Sequence, residues 1–378
     1  MNETFHKLLA NSPAGGWFPA LQHLAWFIPE TNSAHTDLFF SPPPKRISIS
    51  PASPQTGLTV PPDMSTAIAS DISALPTSTL QSLAVNLRDC AESLTYFTDS
   101  LSSVVLRCGP SLTEFTSTVP LSDAAVNHLM QLPHLRTWHI RGPPPSYSAS
   151  SLPLIFPPLV EFGIWEDAIR GWPSLFQRLN DGTPTMQCAV PLSKTKESLK
   201  SLTIINPLGI TTDASITSII QIFRNLSTLN ISNICREDPC VFRLNNEDIT
   251  ELAVALPRLE SLSLGYPCFR NTCATTVACL LPLSVHCIEL KTLQVHFNTT
   301  NIVNDLKNIS EDFRLQKLHS PSKCSLLDLC VDQMPLTLDE PGFDTVVKGI
   351  LDIFPSLVYC VGNDRVWNVL SERIRMAR

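Results

Sequence analysis

The hydrophobic residues of this chain recur in a short arrangement with spacings of three and two. The stretch 256–266, LPRLESLSLGY, holds Leu259, Leu262 and Leu264 in this arrangement. The last two positions lie two residues apart and therefore point to one side of a strand, whereas the first packs against the turn that leads in. Each copy therefore predicts one short strand.

Copies of the arrangement cover most of the chain. Eleven steps join the first positions of twelve copies, and the steps average about 30 residues. Weaker copies begin at Pro44, Leu112 and Leu357. The clear copies other than 259–264 have their hydrophobic residues at 21, 24 and 26; 80, 83 and 85; 135, 138 and 140; 159, 162 and 164; 199, 202 and 204; 226, 229 and 231; 290, 293 and 295; and 326, 329 and 331.

Segments with helical periodicity lie between the copies, at 122–132, 212–223, 245–256 and 344–354. The first opens with Ser122, a residue type that caps helix N-termini. A single strand and helix cannot bury their apolar sides alone, but stacked units form one continuous core. The pattern predicts an α/β solenoid with parallel strands on its concave face. The alternative is an ordinary α/β domain whose strands are leucine-rich by chance.

This pattern resembles the leucine-rich-repeat fold. We expect a single irregular solenoid of about twelve strand–helix units over residues 1–378, uneven because most copies lack the consensus asparagine after the strand. Long loops rich in proline and serine are predicted near 41–64, 141–158 and 180–196, since proline runs join neither helices nor central strands.

Charge and composition narrow the class of partner. The net charge is −7, which argues against nucleic acid because phosphate binding needs a basic face. Hydrophobic residues make up 43% of the chain, enough for a sizeable core. The apolar run 277–283 is too short to span a bilayer, so no membrane partner is expected. With no signal-peptide pattern at the start, we expect a cytoplasmic or nuclear protein.

The sequence contains no recognised catalytic or cofactor motif, whether a phosphate-binding glycine loop, a zinc-protease helix or a hydrolase serine turn. Cys268, Cys273, Cys279 and Cys287 contain one C-x₄-C pair and no second tight pair, so they are predicted to pack in a core instead of binding metal. We expect a non-enzyme without cofactors. An enzyme whose site is built from scattered residues is the alternative.

The residues between the core positions of each copy should face outward and contact a partner. Large aromatic and arginine side chains dominate binding energies at protein interfaces. The sequence therefore predicts a protein-binding site, although a solvated polar residue is the alternative at each histidine. The candidate residues are Arg141, Trp165, Tyr266, His139 and His296.

Three parts of the chain carry a further resemblance: WFPALQHLAWFIPET, LPHLRTWHIRGPPP and the repeats after FPPL. They resemble the repeat region of fungal F-box/leucine-rich-repeat proteins. The resemblance implies that the repeats hold a protein substrate for a ubiquitin ligase, with the cullin–RING ligase adaptor as a further partner. No segment before Trp17 matches the F-box pattern, so no adaptor-binding residue can be assigned. The alternative is a standalone scaffold or inhibitor without a ubiquitin role.

Overall fold

The structure is a computed structural model, which divides into two compact units. Unit 1 comprises Met1–Ala168 and Gly182–Thr195, and unit 2 comprises Ile169–Asp181 and Lys196–Arg378. The residues described are 21–28, 43–51, 62–87, 94–142, 157–165, 193–205, 222–232, 244–264, 274–316, 324–331, 339–362 and 365–377.

Each unit contains a parallel sheet whose strands follow one another in chain order. Every described pair of neighbouring strands is parallel, as a sheet built from strand–crossover–strand repeats requires. Unit 1 contains β1 (His23–Ile28), β2 (Arg46–Pro51), β3 (Ser82–Val85), β4 (Glu114–Ser117), β5 (Thr137–Arg141) and β6 (Glu161–Trp165). Unit 2 contains β7 (Ser201–Ile205), β8 (Thr228–Ser232), β9 (Ser261–Leu264), β10 (Thr292–Val295), β11 (Asp328–Cys330) and β12 (Tyr359–Val361).

Helices separate many of the strands. Those of unit 1 are α1 (Pro62–Ser73), α2 (Leu94–Arg107) and α3 (Asp123–Gln131), and α4 (Ser193–Ser198) begins in unit 1 and ends in unit 2. Those of unit 2 are α5 (Asn246–Ala255), α6 (Leu280–His286), α7 (Ile302–Gln316), α8 (Glu340–Ile353) and α9 (Arg365–Met376), with a 3₁₀ turn, Val277–Cys279, before α6. Within the described part of the chain, repeats of this kind confirm the predicted α/β solenoid class.

Equivalent core residues of successive repeats lie side by side. Leu262 of β9 pairs in register with Leu229 of β8 and with Leu293 of β10, and all three are fully buried. The first residue of the arrangement, such as Leu259, is also fully buried in the turn before its strand. One face of each sheet is thus a stack of aliphatic layers, which a single repeat could not shield from water.

The opposite face of each sheet is half-exposed along most strands, and we call it the open face. Burial alternates along β5, β7, β8 and β9 as the pattern predicts. In unit 2 the centre of this face carries small neutral side chains: Ser201, Thr203, Thr228, Asn230, Ser261 and Ser263.

Polar caps fix the starts of the described helices where the sequence supplies them. The Ser122 hydroxyl accepts a hydrogen bond from the Ala125 N–H at 3.3 Å, which confirms the predicted cap of α3. Asn245 and Asp248 form a reciprocal capping box at the start of α5. The predicted start of the last repeat helix at Asp344 was wrong. This helix, α8, begins at Glu340, because Asp339 accepts from the Gly342 N–H at 2.8 Å and Pro341 fits the first turn.

The last helix of unit 2 covers the outer edge of its last strand. Trp367, Leu370 and Ile374 of α9 are fully buried. The Cys360 N–H of β12 donates to the Ser371 hydroxyl at 3.3 Å, which satisfies an edge group that has no further strand to bind. On the outer side of α9, Arg373 pairs with Glu340 and Asp344 of α8 and lies over the Phe343 ring. The helix α9 therefore covers the edge of the sheet at β12.

Two of the predicted loops contain the start of a helix. α1 begins at Pro62, inside the predicted loop 41–64, and α4 begins at Ser193, inside 180–196. The expected short strand near Arg46 is present as β2. Residues 143–156 of the predicted loop 141–158, and most of the predicted helix 212–223, lie outside the described residues. One continuous solenoid over 1–378 stays a prediction.

Candidate functional site

Three of the five predicted site residues come together on the open face of unit 1. In the register of β5 and β6, His139 lies opposite Gly163, and Arg141 lies opposite Trp165. Thr137 lies opposite Glu161 one step earlier. Because side chains alternate along a strand, all of these residues project from the same face. We call His139, Arg141, Glu161 and Trp165 the β5–β6 cluster.

The imidazole of His139 is the centre of the β5–β6 cluster. Its ring centroid lies 5.8 Å from that of Trp165 with the planes tilted by 57°. Its Nε2 atom lies 3.1 Å from Glu161 Oε1, but outside the angle of a good hydrogen bond.

The His139 side chain is only 18% exposed. Burial lowers the pKa of His139, and this effect outweighs the opposite influence of the Glu161 carboxylate. The imidazole is therefore neutral at pH 7. A neutral ring offers one nitrogen as donor and the other as acceptor, and it can hydrogen-bond polar groups of a partner without a charge.

Gly163 makes room for the His139 ring. A Cβ atom at residue 163 would lie 2.6 Å from Cδ2 of His139 and 2.9 Å from Cγ. Gly163 is buried although its position in the strand faces outward, because the imidazole covers it. A glycine inside a strand marks such a close approach.

Arg141 and Trp165 form the outer end of the β5–β6 cluster, and both are half-buried. Nη1 of Arg141 donates to the Thr118 carbonyl at 3.4 Å, which directs the guanidinium toward the turn after β4. Nε1 of Trp165 is buried and has no hydrogen-bond partner within the described part of the chain. A buried indole N–H without an acceptor costs free energy.

The other two predicted site residues lie elsewhere. His296 follows β10 in unit 2 and is half-buried, so it does not belong to the β5–β6 cluster. Tyr266 lies outside the described residues. Trp138, predicted as core, is fully buried and packs edge-on against Phe162 with centroids 5.4 Å apart.

Glu161 and Gly163 belong to the site but were not among the predicted site residues. Both lie at outward positions of a predicted strand, so the alternation identified their face. The glycine itself was a further signal of close contact. What the sequence alone lacked was the register that places Glu161 and Gly163 beside the β5 residues.

The described cysteines show no nucleophilic or metal-binding environment. Burial raises the pKa of the Cys108 thiol to about 11 and that of Cys360 to about 12. Burial likewise raises the pKa of Cys287 to about 12, and its thiol donates to the Ala253 and Leu256 carbonyls. Thiols of this kind stay protonated at neutral pH, whereas the thiolate is the reactive form. Within the described residues, no group of three metal-ligating side chains occurs.

Cys287 agrees with the predicted packing role, as does Cys279, which is fully buried. Cys268 and Cys273 lie outside the described residues. Among the helices described, none combines the length and the apolar character that crossing a membrane would require.

Comparison with known proteins gives likenesses to solved structures and no match by sequence. No family model matches the chain, and no curated protein matches its sequence. A similar solved structure is that of the Rad7 and Elc1 complex in yeast, with 14% identity, a TM-score of 0.38, and coverage of 90% of this chain and 84% of that chain.

Proposed function

We propose that the chain is a non-catalytic protein-interaction module that binds a protein partner on the open face of unit 1. The observation that carries this proposal is the β5–β6 cluster, which places an arginine, a tryptophan and a neutral histidine side by side. Arginine and tryptophan are enriched among the residues that dominate binding energy at protein interfaces.

The rigid setting of the β5–β6 cluster supports the same role. Its residues lie on neighbouring paired strands, and the strand residues between them are buried in the core. Side chains held in this way lose little conformational entropy when a partner binds.

The experiment removes the outer end of the β5–β6 cluster. The double variant Trp165→Ala/Arg141→Ala should capture less of the partner from cells that express the tagged chain, and should bind the purified partner more weakly by about 2 kcal/mol or more. The matched control is Phe27→Ala/Arg46→Ala, which removes the same residue classes from the same face on β1 and β2. The proposal would be contradicted if Trp165→Ala/Arg141→Ala captured as much partner as the wild type. It would also be contradicted if both double variants lost the same amount of partner capture.

We further propose that this module recognises substrates for an F-box-type ubiquitin ligase. The support is the resemblance of the repeats to the repeat region of fungal F-box/leucine-rich-repeat proteins. Affinity purification of the tagged chain should then recover a cullin and its adaptor. Recovery of partners that depend on Trp165 and Arg141, but of no cullin or adaptor, would favour the standalone scaffold or inhibitor.

A further inference from the structure

A groove of about 670 Å³ lies in unit 2, away from the open face of the strands. One wall is the side of α5 that carries Glu251 and Val254, and the other comprises the turns that lead into β8 and β9. These turns contribute Arg224 and Arg258, which reach the groove from successive repeats. The described residues of the lining all belong to unit 2.

The two arginines of this groove have no counter-ion. Arg224 and Arg258 are exposed, and neither makes a hydrogen bond or ion pair within the described residues. Two other cations of the same unit are paired, Lys291 with Glu260 and Arg375 with Glu372. The groove thus holds two unpaired guanidinium groups in a chain whose net charge is −7.

The lining also contains apolar surface next to the cations. Val254 is 57% exposed on α5, whereas Leu252 and Ala253 beside it in sequence are buried. Ala255 and Pro257 continue this surface toward Arg258. Glu251 is the one acidic residue in the described part of the lining, where two positive charges face one negative charge.

We propose that this groove binds an acidic segment of a protein partner that carries an apolar side chain among its carboxylates. A guanidinium group binds a carboxylate through two parallel hydrogen bonds, so Arg224 and Arg258 can each hold one acidic residue. The apolar side chain of the segment then covers Val254 and Pro257. The proposal goes beyond the β5–β6 cluster, because the groove lies on other elements in the other unit.

A protein segment fits the groove better than a nucleic acid does. Phosphate chains are bound by extended basic surfaces that contact many phosphates, and base recognition adds stacking on aromatic rings. Among the described residues, the lining has two arginines, one glutamate and no aromatic residue. Exposed apolar surface beside the arginines suits a side chain instead.

The test measures fluorescence anisotropy of the full chain with three labelled peptides. The acidic peptide has four glutamates around one leucine, and its two counterparts have glutamine or lysine in place of glutamate. We expect the acidic peptide to bind at least about tenfold more tightly than the glutamine peptide at low salt, and to weaken as the salt concentration rises.

Two variants locate the binding. Arg224→Glu/Arg258→Glu should lower the affinity for the acidic peptide at least about tenfold. Lys307→Glu/Lys348→Glu changes the net charge equally on α7 and α8, and should stay within about twofold of the wild type. Arg224→Gln/Arg258→Gln repeats the test without new charges, in case charge reversal prevents folding.

Three results would overturn the proposal. In the first, the acidic peptide binds no better than the glutamine peptide. In the second, both charge-reversed variants lose affinity equally, which would indicate a general effect of net charge. In the third, a single-stranded RNA of ten nucleotides binds this groove more tightly than the acidic peptide. Since Trp165→Ala/Arg141→Ala leaves the groove intact, failure here is distinguishable from failure of the proposed function.

Discussion

Gly163 and His139 fit closely on the open face of unit 1. A methyl group at residue 163 would overlap the imidazole at 2.6 Å and force it outward. Overpacking of this kind costs about 1–3 kcal/mol. We expect Gly163→Ala to lower the free energy of unfolding by this amount, as measured by urea denaturation.

A double-mutant cycle isolates the cause of this loss. In a His139→Ala background the ring is absent, so Gly163→Ala should cost much less or even stabilise the strand. Equal losses in both backgrounds would show that the backbone of β6, and not the histidine, requires glycine at residue 163.

The depressed pKa of His139 predicts a dependence of stability on pH. The unfolded chain takes up a proton near the ordinary histidine pKa of 6.5, whereas the buried ring in the folded chain does so only at lower pH. Below pH 6.5 the unfolded state therefore binds more protons, and the folded state loses stability until the pH falls below the folded pKa.

The measurement is the free energy of unfolding of the wild type and His139→Gln at pH 7.5, 6.5 and 5.5. The wild type should lose more stability than the variant over this range. If the free energies of unfolding of the wild type and the variant fall equally with pH, His139 takes up its proton at the same pH in the folded and unfolded states.

At the residue scale, the sequence predicted faces more reliably than contacts. Alternation along the strands correctly placed His139, Arg141 and Trp165 on one face, because the period of a strand is fixed by its backbone. The approach of Glu161 and Gly163 to His139 depends on the register between two strands separated by a long connection. The leucine pattern predicts each strand separately and does not predict how strands pair. The contacts of His139 with Glu161 and Gly163 are therefore visible only in the structure.

At the element scale, stability is concentrated in the aliphatic layers between sheet and helices. Leu262 of β9 is fully buried between its counterparts on β8 and β10. Leu262→Ala should lower the free energy of unfolding by about 2–5 kcal/mol. Ser261→Ala, one residue earlier on the open face, should change it by about 0.5 kcal/mol or less. Similar losses in a thermal or urea melt would contradict the assignment of faces.

The elements themselves were predictable to different degrees. The strands were predictable from the leucine spacing, because each aliphatic residue packs beside its equivalents in the neighbouring repeats. Helix starts depended on caps. Ser122 was recognised, whereas the true start of α8 at Asp339 and Pro341 was overlooked in favour of Asp344. Proline in a first turn initiates a helix as readily as it ends one.

At the scale of the whole molecule, α9 determines whether unit 2 presents a bare sheet edge. Deletion of residues 365–378 would expose the unpaired side of β12 together with the apolar surface now covered by Trp367 and Leu370. Exposed edges of this kind pair with other chains. The truncated chain should therefore self-associate, with a mass in light scattering that rises with protein concentration.

A charged edge provides the control. Tyr359 and Val361 are exposed on β12, and lysine at both positions should suppress strand addition in the truncated chain. If the lysine variant associates as strongly as the truncated parent, apolar contacts and not edge pairing would be the cause.

The cover on β12 also restricts how a chain of this design can lengthen in evolution. The Cys360 N–H is already occupied by Ser371, and a Cβ atom on Gly362 would lie 2.6 Å from the Trp367 ring, so sheet and helix fit too closely to admit a strand between them. A duplicated repeat placed after α9 would find no edge to join. New repeats can therefore enter unit 2 only by insertion between existing strands, where each added leucine layer meets a layer like itself on both sides.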